Sequence, residues 1–200
     1  MTTWTFKGSL AAIGFMTLTA CEAGQGQFSL NPSGTSTIPV TRGMMAGGAV
    51  LVAPSGFCID QASLTPDFLV MMRCDILGAQ DAAGSAPRGL ITISLASSDT
   101  GTLPSAAQIA TASGLRDVTA VQTTKGIVTF RALGKIPVGG LSPVHWRGAV
   151  VIGNQIAGVA VYGPENGLIT TSVGRDILLT LAEESIKATP EPATSVPLKN

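Results

Sequence analysis

Residues 147–162 read RGAVVIGNQIAGVAVY. Two apolar runs, Arg147–Ile152 and Gln155–Tyr162, flank Gly153-Asn154, a pair that favours the tight two-residue turn of a β-hairpin. Immediately upstream, Val118–Gln122 and Ile127–Leu133 flank Thr123-Thr124-Lys125-Gly126 and form a second expected hairpin. Further back, Gly89–Ala96 (GLITISLA) alternates as a strand, and Asp67–Leu77 (DFLVMMRCDIL) is an apolar run with charged ends, expected as a buried strand. Asp81–Arg88 between them is a loop. Ala49–Ala53 is a short strand stopped by Pro54-Ser55-Gly56, and Phe57–Asp60 begins the next. Two helices complete the pattern. Pro104–Ser113 has Pro in its first turn and Gly114 at its end. Val173–Lys187 carries an apolar stripe of Val173, Ile177, Leu178, Leu181, Ala182 and Ile186 at helical spacing. Hairpins interrupted by single helices predict an α+β fold, an antiparallel sheet with two helices packed on it.

This order of elements resembles the Mog1/PsbP-like fold. The likeness opens at Ala53-Pro54-Ser55-Gly56-Phe57, similar to that family's Pro-x-Gly-aromatic turn. It continues through Gly89–Ala96, the hairpin containing Gly126, the Trp146–Tyr162 hairpin and the closing helix, and covers most of Ala49–Ala188. The chain departs from the pattern in its two domain cysteines and its weakly aromatic core. The resemblance implies a sandwich of sheet and helices in an accessory or binding protein more often than in an enzyme.

The first twenty residues carry one charge, Lys7, followed by an apolar stretch from Ser9 to Ala20. That stretch is shorter than the roughly 20 apolar residues of a spanning helix and has the layout of a secretory signal. Its end, Leu18-Thr19-Ala20-Cys21, resembles the bacterial lipobox. The resemblance implies cleavage before Cys21, a diacylglycerol on its thiol and a further acyl group such as palmitate on the new amine. One chain holds a membrane only marginally, and two or three hold it durably. The implied address is the periplasmic side of a bacterial membrane. Glu22, where an aspartate favours inner-membrane retention in enteric bacteria, tips the expectation to the outer membrane. The other reading of this stretch is a transmembrane anchor that contains a cysteine. The expected organisation is a signal over 1–20, a lipidated N-terminus and flexible tether over 21–43, one domain over 44–188 and a Pro-rich disordered tail over 189–200. The Gly/Ser/Thr/Pro-rich tether would reach roughly 25 Å.

The chain has 12 basic and 12 acidic residues, and charged residues make up 12% of it, about half the usual share. A neutral chain without basic runs is a poor ligand for nucleic acid. So little charge is a hint of burial against a protein partner, since charge keeps free domains soluble. With Cys21 lipidated, Cys58 and Cys74 are left in an oxidising compartment and are expected as a disulfide, with a redox or metal pair as the alternatives. No CxxC spacing is present and there is one histidine, which leaves zinc without a ligand set, so no metal and no cofactor beyond the lipid is expected. Met71-Met72 reads as core filling. The glycines of residues 42–49 precede a strand, where a phosphate loop follows one.

His145 could act as a general base oriented by Asp60, Asp75 or Asp99. No serine has a nucleophile-elbow context, and a surface histidine at a strand entrance is the plainer reading. Trp146 and Arg147 are the candidate partner contacts, because Trp and Arg recur at interface hot spots. An edge aromatic packing on the core is the alternative for Trp146. The expectation is a non-enzymatic periplasmic lipoprotein, an accessory or assembly subunit of an envelope protein complex. The alternative is a small-ligand-binding lipoprotein.

Overall fold

The computed structural model describes residues 38–98 and 101–191. The lipobox and signal, most of the tether and nearly all of the tail therefore lie outside the described residues. The elements in chain order are β1 (Arg42–Met44), β2 (Val50–Val52), β3 (Phe57–Ile59), β4 (Phe68–Arg73), β5 (Leu90–Ser97), α1 (Ala106–Ala112), β6 (Arg116–Thr124), β7 (Ile127–Leu133), β8 (Val144–Ile152), β9 (Gln155–Tyr162) and α2 (Ser172–Ala188). Strands β3 to β9 form one antiparallel sheet in the order β3-β4-β5-β9-β8-β7-β6, and β1 pairs with β2 alone. The fold is α+β, with both helices packed on the sheet.

Both predicted hairpins form. Gly153 takes φ 61° between β8 and β9, a conformation a side chain would resist. Lys125 and Gly126, at φ 49° and 75°, close β6 onto β7 as a two-residue turn with both central residues left-handed. β6 is longer than Val118–Gln122 and lies exposed along its whole length at the sheet edge. Its register shifts twice, around Asp117 and Ala120, which adopt φ 51° and 50°. Bulges of this kind disrupt the template an edge strand offers to another chain.

Alternation on the central strands creates two unlike faces. On the first, Trp146, Val150 and Ile152 of β8, Ala157, Val159 and Val161 of β9, and Ile91, Ile93 and Leu95 of β5 are buried with Leu178, Leu181 and Ala182 of α2 and Leu51 of β2. Burying each of the larger side chains contributes about 2 kcal/mol. The buried stripe of α2 is Gly174, Leu178, Leu181, Ala182 and Ser185. Ile186, expected in the stripe, is 41% exposed. Ser185 takes the inward position because its hydroxyl accepts the Val52 amide at 2.9 Å, tying the helix to β2. Thr189, at the C-cap, accepts the Val50 amide in the same way. These bonds correct the expected limits. β1 begins at Arg42, inside the expected tether, and Thr189, assigned to the tail, is part of the fold.

On the second face α1 covers β6 and β7, where Ala106 and Ala110 pack on Val128, Phe130 and Ala132. A capping box between Ser105 and Gln108 starts this helix, and Gly114 at φ 62° follows its end. At the far side, Leu141 packs with Val70, Met72, Leu90 and Tyr162. The expected strand Asp67–Leu77 stops at Arg73. There the chain turns back, with Ile76 and Leu77 amides donating to the Arg73 and Cys74 carbonyls. The Arg73–Asp75 ion pair, at 2.7 Å, bridges that turn.

Candidate functional site

Between α1 and Leu141 the centre of the second face is uncovered among the described residues: Ser94 and Ala96 of β5 and Gly158 of β9 are exposed. Arg147 stands at the head of this opening. The register places it opposite Ala160, which pairs with Thr92, while Tyr162 pairs with Leu90 one step along. Arg147 is the sole charged residue that β4, β5, β7, β8 and β9 present on this face.

His145, two residues before Arg147 and on the same face, is fully buried. Its Nδ1 lies 2.9 Å from the Pro143 carbonyl oxygen. A carbonyl only accepts, so Nδ1 carries the proton and Nε2 presents a lone pair. Arg147 Nε donates to that lone pair at 2.8 Å. Arg147 Nη2 donates to Tyr162 Oη at 2.9 Å, and the Thr92 side chain hydrogen-bonds to the same hydroxyl. The His145 and Tyr162 rings stack, with centroids 4.4 Å apart. Burial pushes the His145 pKa down to about 4, the Pro143 bond opposes the shift, and the Arg147 charge adds to it. Burial also raises the Tyr162 pKa, against the opposing pull of Arg147 and Thr92. Burial works against the Arg147 charge too, but a guanidinium stays protonated in proteins. At neutral pH the cluster is one half-buried cation held by two neutral rings.

The structure separates residues that the sequence grouped. Trp146 points to the opposite face, is 4% exposed, and donates its indole N–H to the Thr171 carbonyl at 2.6 Å. It anchors the start of α2 and is buried in the core, which corrects the reading of Trp146 as a partner contact. β8 is an interior strand, not an edge. His145 is not a surface residue, because the loop at Pro143 and the Tyr162 ring enclose it. Of its expected orienting carboxylates, Asp60 accepts the Ala62 amide and Asp75 is held by Arg73. Asp99 lies outside the described residues. Both nitrogens of His145 are engaged by Pro143 and Arg147, and no carboxylate orients the ring among the described residues. Cys58 and Cys74 are bonded to each other, with Cα atoms 4.9 Å apart. Met71 is buried in the main core, while Met72 lies on the second face.

Tyr162 and Thr92 were not singled out from the sequence. Register from the Gly153-Asn154 turn places Arg147 opposite Ala160 and so puts Tyr162 on its face. The Thr92 pairing joins strands far apart in sequence and has no local signal. A separate cavity of about 340 Å³ opens beside Leu141, lined by Met72, Ile76, Leu90, Val138 and Pro164, with Arg73, Asp75 and Arg88 also contributing to its wall. In comparisons with known proteins, no family model and no curated protein matches the chain.

Proposed function

We propose that this is a periplasmic lipoprotein, anchored through lipid on Cys21 and facing the outer rather than the inner membrane, that works by contact as an accessory or assembly subunit of an envelope protein complex. It carries out no catalysis in this reading. The uncovered centre of the second sheet face is the observation that carries it. Antiparallel sheets do face water on one side, but such faces are normally polar. Here the floor is Ala96, Ile156, Gly158, Val151 and Ser94, with one cation at its head. The low overall charge supports the same reading. So does His145, whose ring nitrogens are both occupied within the fold. The Mog1/PsbP-like resemblance points the same way. A photo-crosslinking residue at Ser94 of the full-length chain, in cells, tests the reading. A discrete adduct with an envelope protein is expected from Ser94 and not from Lys187 on the exposed side of α2. No adduct from Ser94 would overturn the assignment of this face.

A second reading, small-ligand binding, is favoured by the cavity beside Leu141, whose volume lies in the range of ligand sites. Native mass spectrometry of the protein purified from cells, showing one small molecule retained, would support it.

A further inference from the structure

We propose that Arg147 is a carboxylate-binding site, built to take the two oxygens of one carboxylate on the free end of its guanidinium. The guanidinium has five N–H donors in a rigid plane. Nε–H and the adjacent hydrogen of Nη2 form its side edge, and His145 and Tyr162 occupy that edge. The end edge, made by Nη1 and the outer hydrogen of Nη2, has no partner among the described residues. Two parallel N–H groups at that edge match a carboxylate in the bidentate manner.

Arg73, Lys125, Arg175 and Lys187 each have an acidic neighbour within reach, and Arg147 has none among the described residues. The lack of an ion pair is not what sets Arg147 apart, because Arg42, Arg88, Arg116, Arg131 and Lys135 also have none among the described residues; its surroundings are. Its partners are neutral and rigid: a histidine pinned to Pro143 and stacked on Tyr162, and a tyrosine held by Thr92. The plane of the guanidinium is thus set before a ligand arrives, which lowers the ordering cost of binding. The floor beside it is Ala160 and Gly158, too small to block a ligand body. One cation suits a singly charged planar group. A phosphate dianion would want a second cation, and these strands place none on the face. The inference does not rest on the contact reading, because the carboxylate can belong to a small organic acid or to an acidic side chain of a protein.

The test is a titration of the full-length, isotopically labelled chain in detergent, read at the Arg147 Nε–H and the Tyr162 ring. The probes are benzoate, a blocked Ala-Ala-Glu-Ala-Ala peptide and inorganic phosphate. Saturable shifts at Arg147 with a carboxylate are expected, without comparable shifts at Arg116, exposed on the edge strand β6 and serving as the internal control. Arg147→Lys keeps the charge and loses the fork, and should weaken binding by about tenfold or more. Tighter binding of benzoate identifies a small acid as the source, and tighter binding of the peptide an acidic side chain. No saturable shift with either carboxylate overturns the proposal, as does an equal response at Arg116 or a preference for phosphate. The Arg116 comparison is made in the wild-type chain and stands whether or not Arg147→Lys folds.

Discussion

Arg147 Nε donates to His145 Nε2 across 2.8 Å, and with the Pro143 bond on the other nitrogen this holds His145 in one neutral tautomer. A proton on Nε2 would break the bond and place two cations side by side.

The consequence is a pH dependence of stability. His145 is held at about 4 in the folded chain against an ordinary 6.5. Between those values the unfolded chain binds more protons than the folded one, so stability rises with pH across that window. The contribution is fully present above about pH 6.5 and is lost as pH falls toward 4, amounting to about 3 kcal/mol at most. Asp75, held below its ordinary 3.8 by Arg73, acts in the same direction but at lower pH. Urea midpoints measured from pH 7 to pH 4 should fall, and His145→Asn should flatten the fall. An unchanged slope in that variant would assign the effect elsewhere.

Gly174 lies inside α2, where alanine is ordinarily the better helix former by about 1 kcal/mol. Here the sign reverses. A Cβ at this position would meet the Ile169 carbonyl, which is backbone, and Trp146 Cδ1 at 2.6 Å. Neither can yield without moving the start of α2 away from the sheet. Gly174→Ala should therefore destabilise by about 2 kcal/mol or more, seen as a lower thermal midpoint. A midpoint equal to or above wild type would refute this account of the helix–sheet contact.

Most of the fold was legible in the hairpins and helices because those signals are local. Gly153-Asn154 and Lys125-Gly126 sit where tight turns need them, and the period of α2 is readable from Leu178, Leu181 and Ala182. What was not legible depends on distant partners. β1 is three residues in a Gly-rich stretch and exists only because Val50–Val52 pairs with it. Ser185 belongs inside because of an amide 133 residues away in sequence. The placing of β5 beside β9, which brings Thr92 to Tyr162, leaves no mark in either strand. His145 and Trp146 are neighbours in sequence, and strand alternation alone sends one to each face. Arg147 is a candidate contact residue by its type alone, but its half-buried, neutral surroundings are a product of the sheet.

The Cys58–Cys74 bond joins the end of β4 to β3 across 16 residues of chain. Closing a loop of that length restricts the unfolded chain and contributes on the order of 3 kcal/mol. Both cysteines are nearly fully buried, so alanine is the gentler replacement. Cys58→Ala/Cys74→Ala should lower the unfolding free energy by roughly that amount at unchanged fold. In the native protein, thiol labelling under denaturing, non-reducing conditions should find neither sulfur free. Labelling of both would show that the pair is reduced where the protein works.

Lipidation at Cys21 is the step on which the proposed address depends. The sequence places Cys21 directly after an apolar stretch too short to span a bilayer, and the domain cysteines are already bonded to each other. No helix among the described residues is long and apolar enough to cross a membrane. Two or three acyl chains on Cys21 would hold the domain durably, and the residues between the lipid and β1 would set its distance from the surface. Mass spectrometry of the mature N-terminus should find a modified Cys21 as the first residue. Cys21→Ala should move the protein from the membrane to the soluble fraction while leaving the Cys58–Cys74 bond and the thermal midpoint unchanged. A wild-type chain that still begins at Met1, or that begins at an unmodified Cys21, would remove the anchor and with it the outer-membrane address.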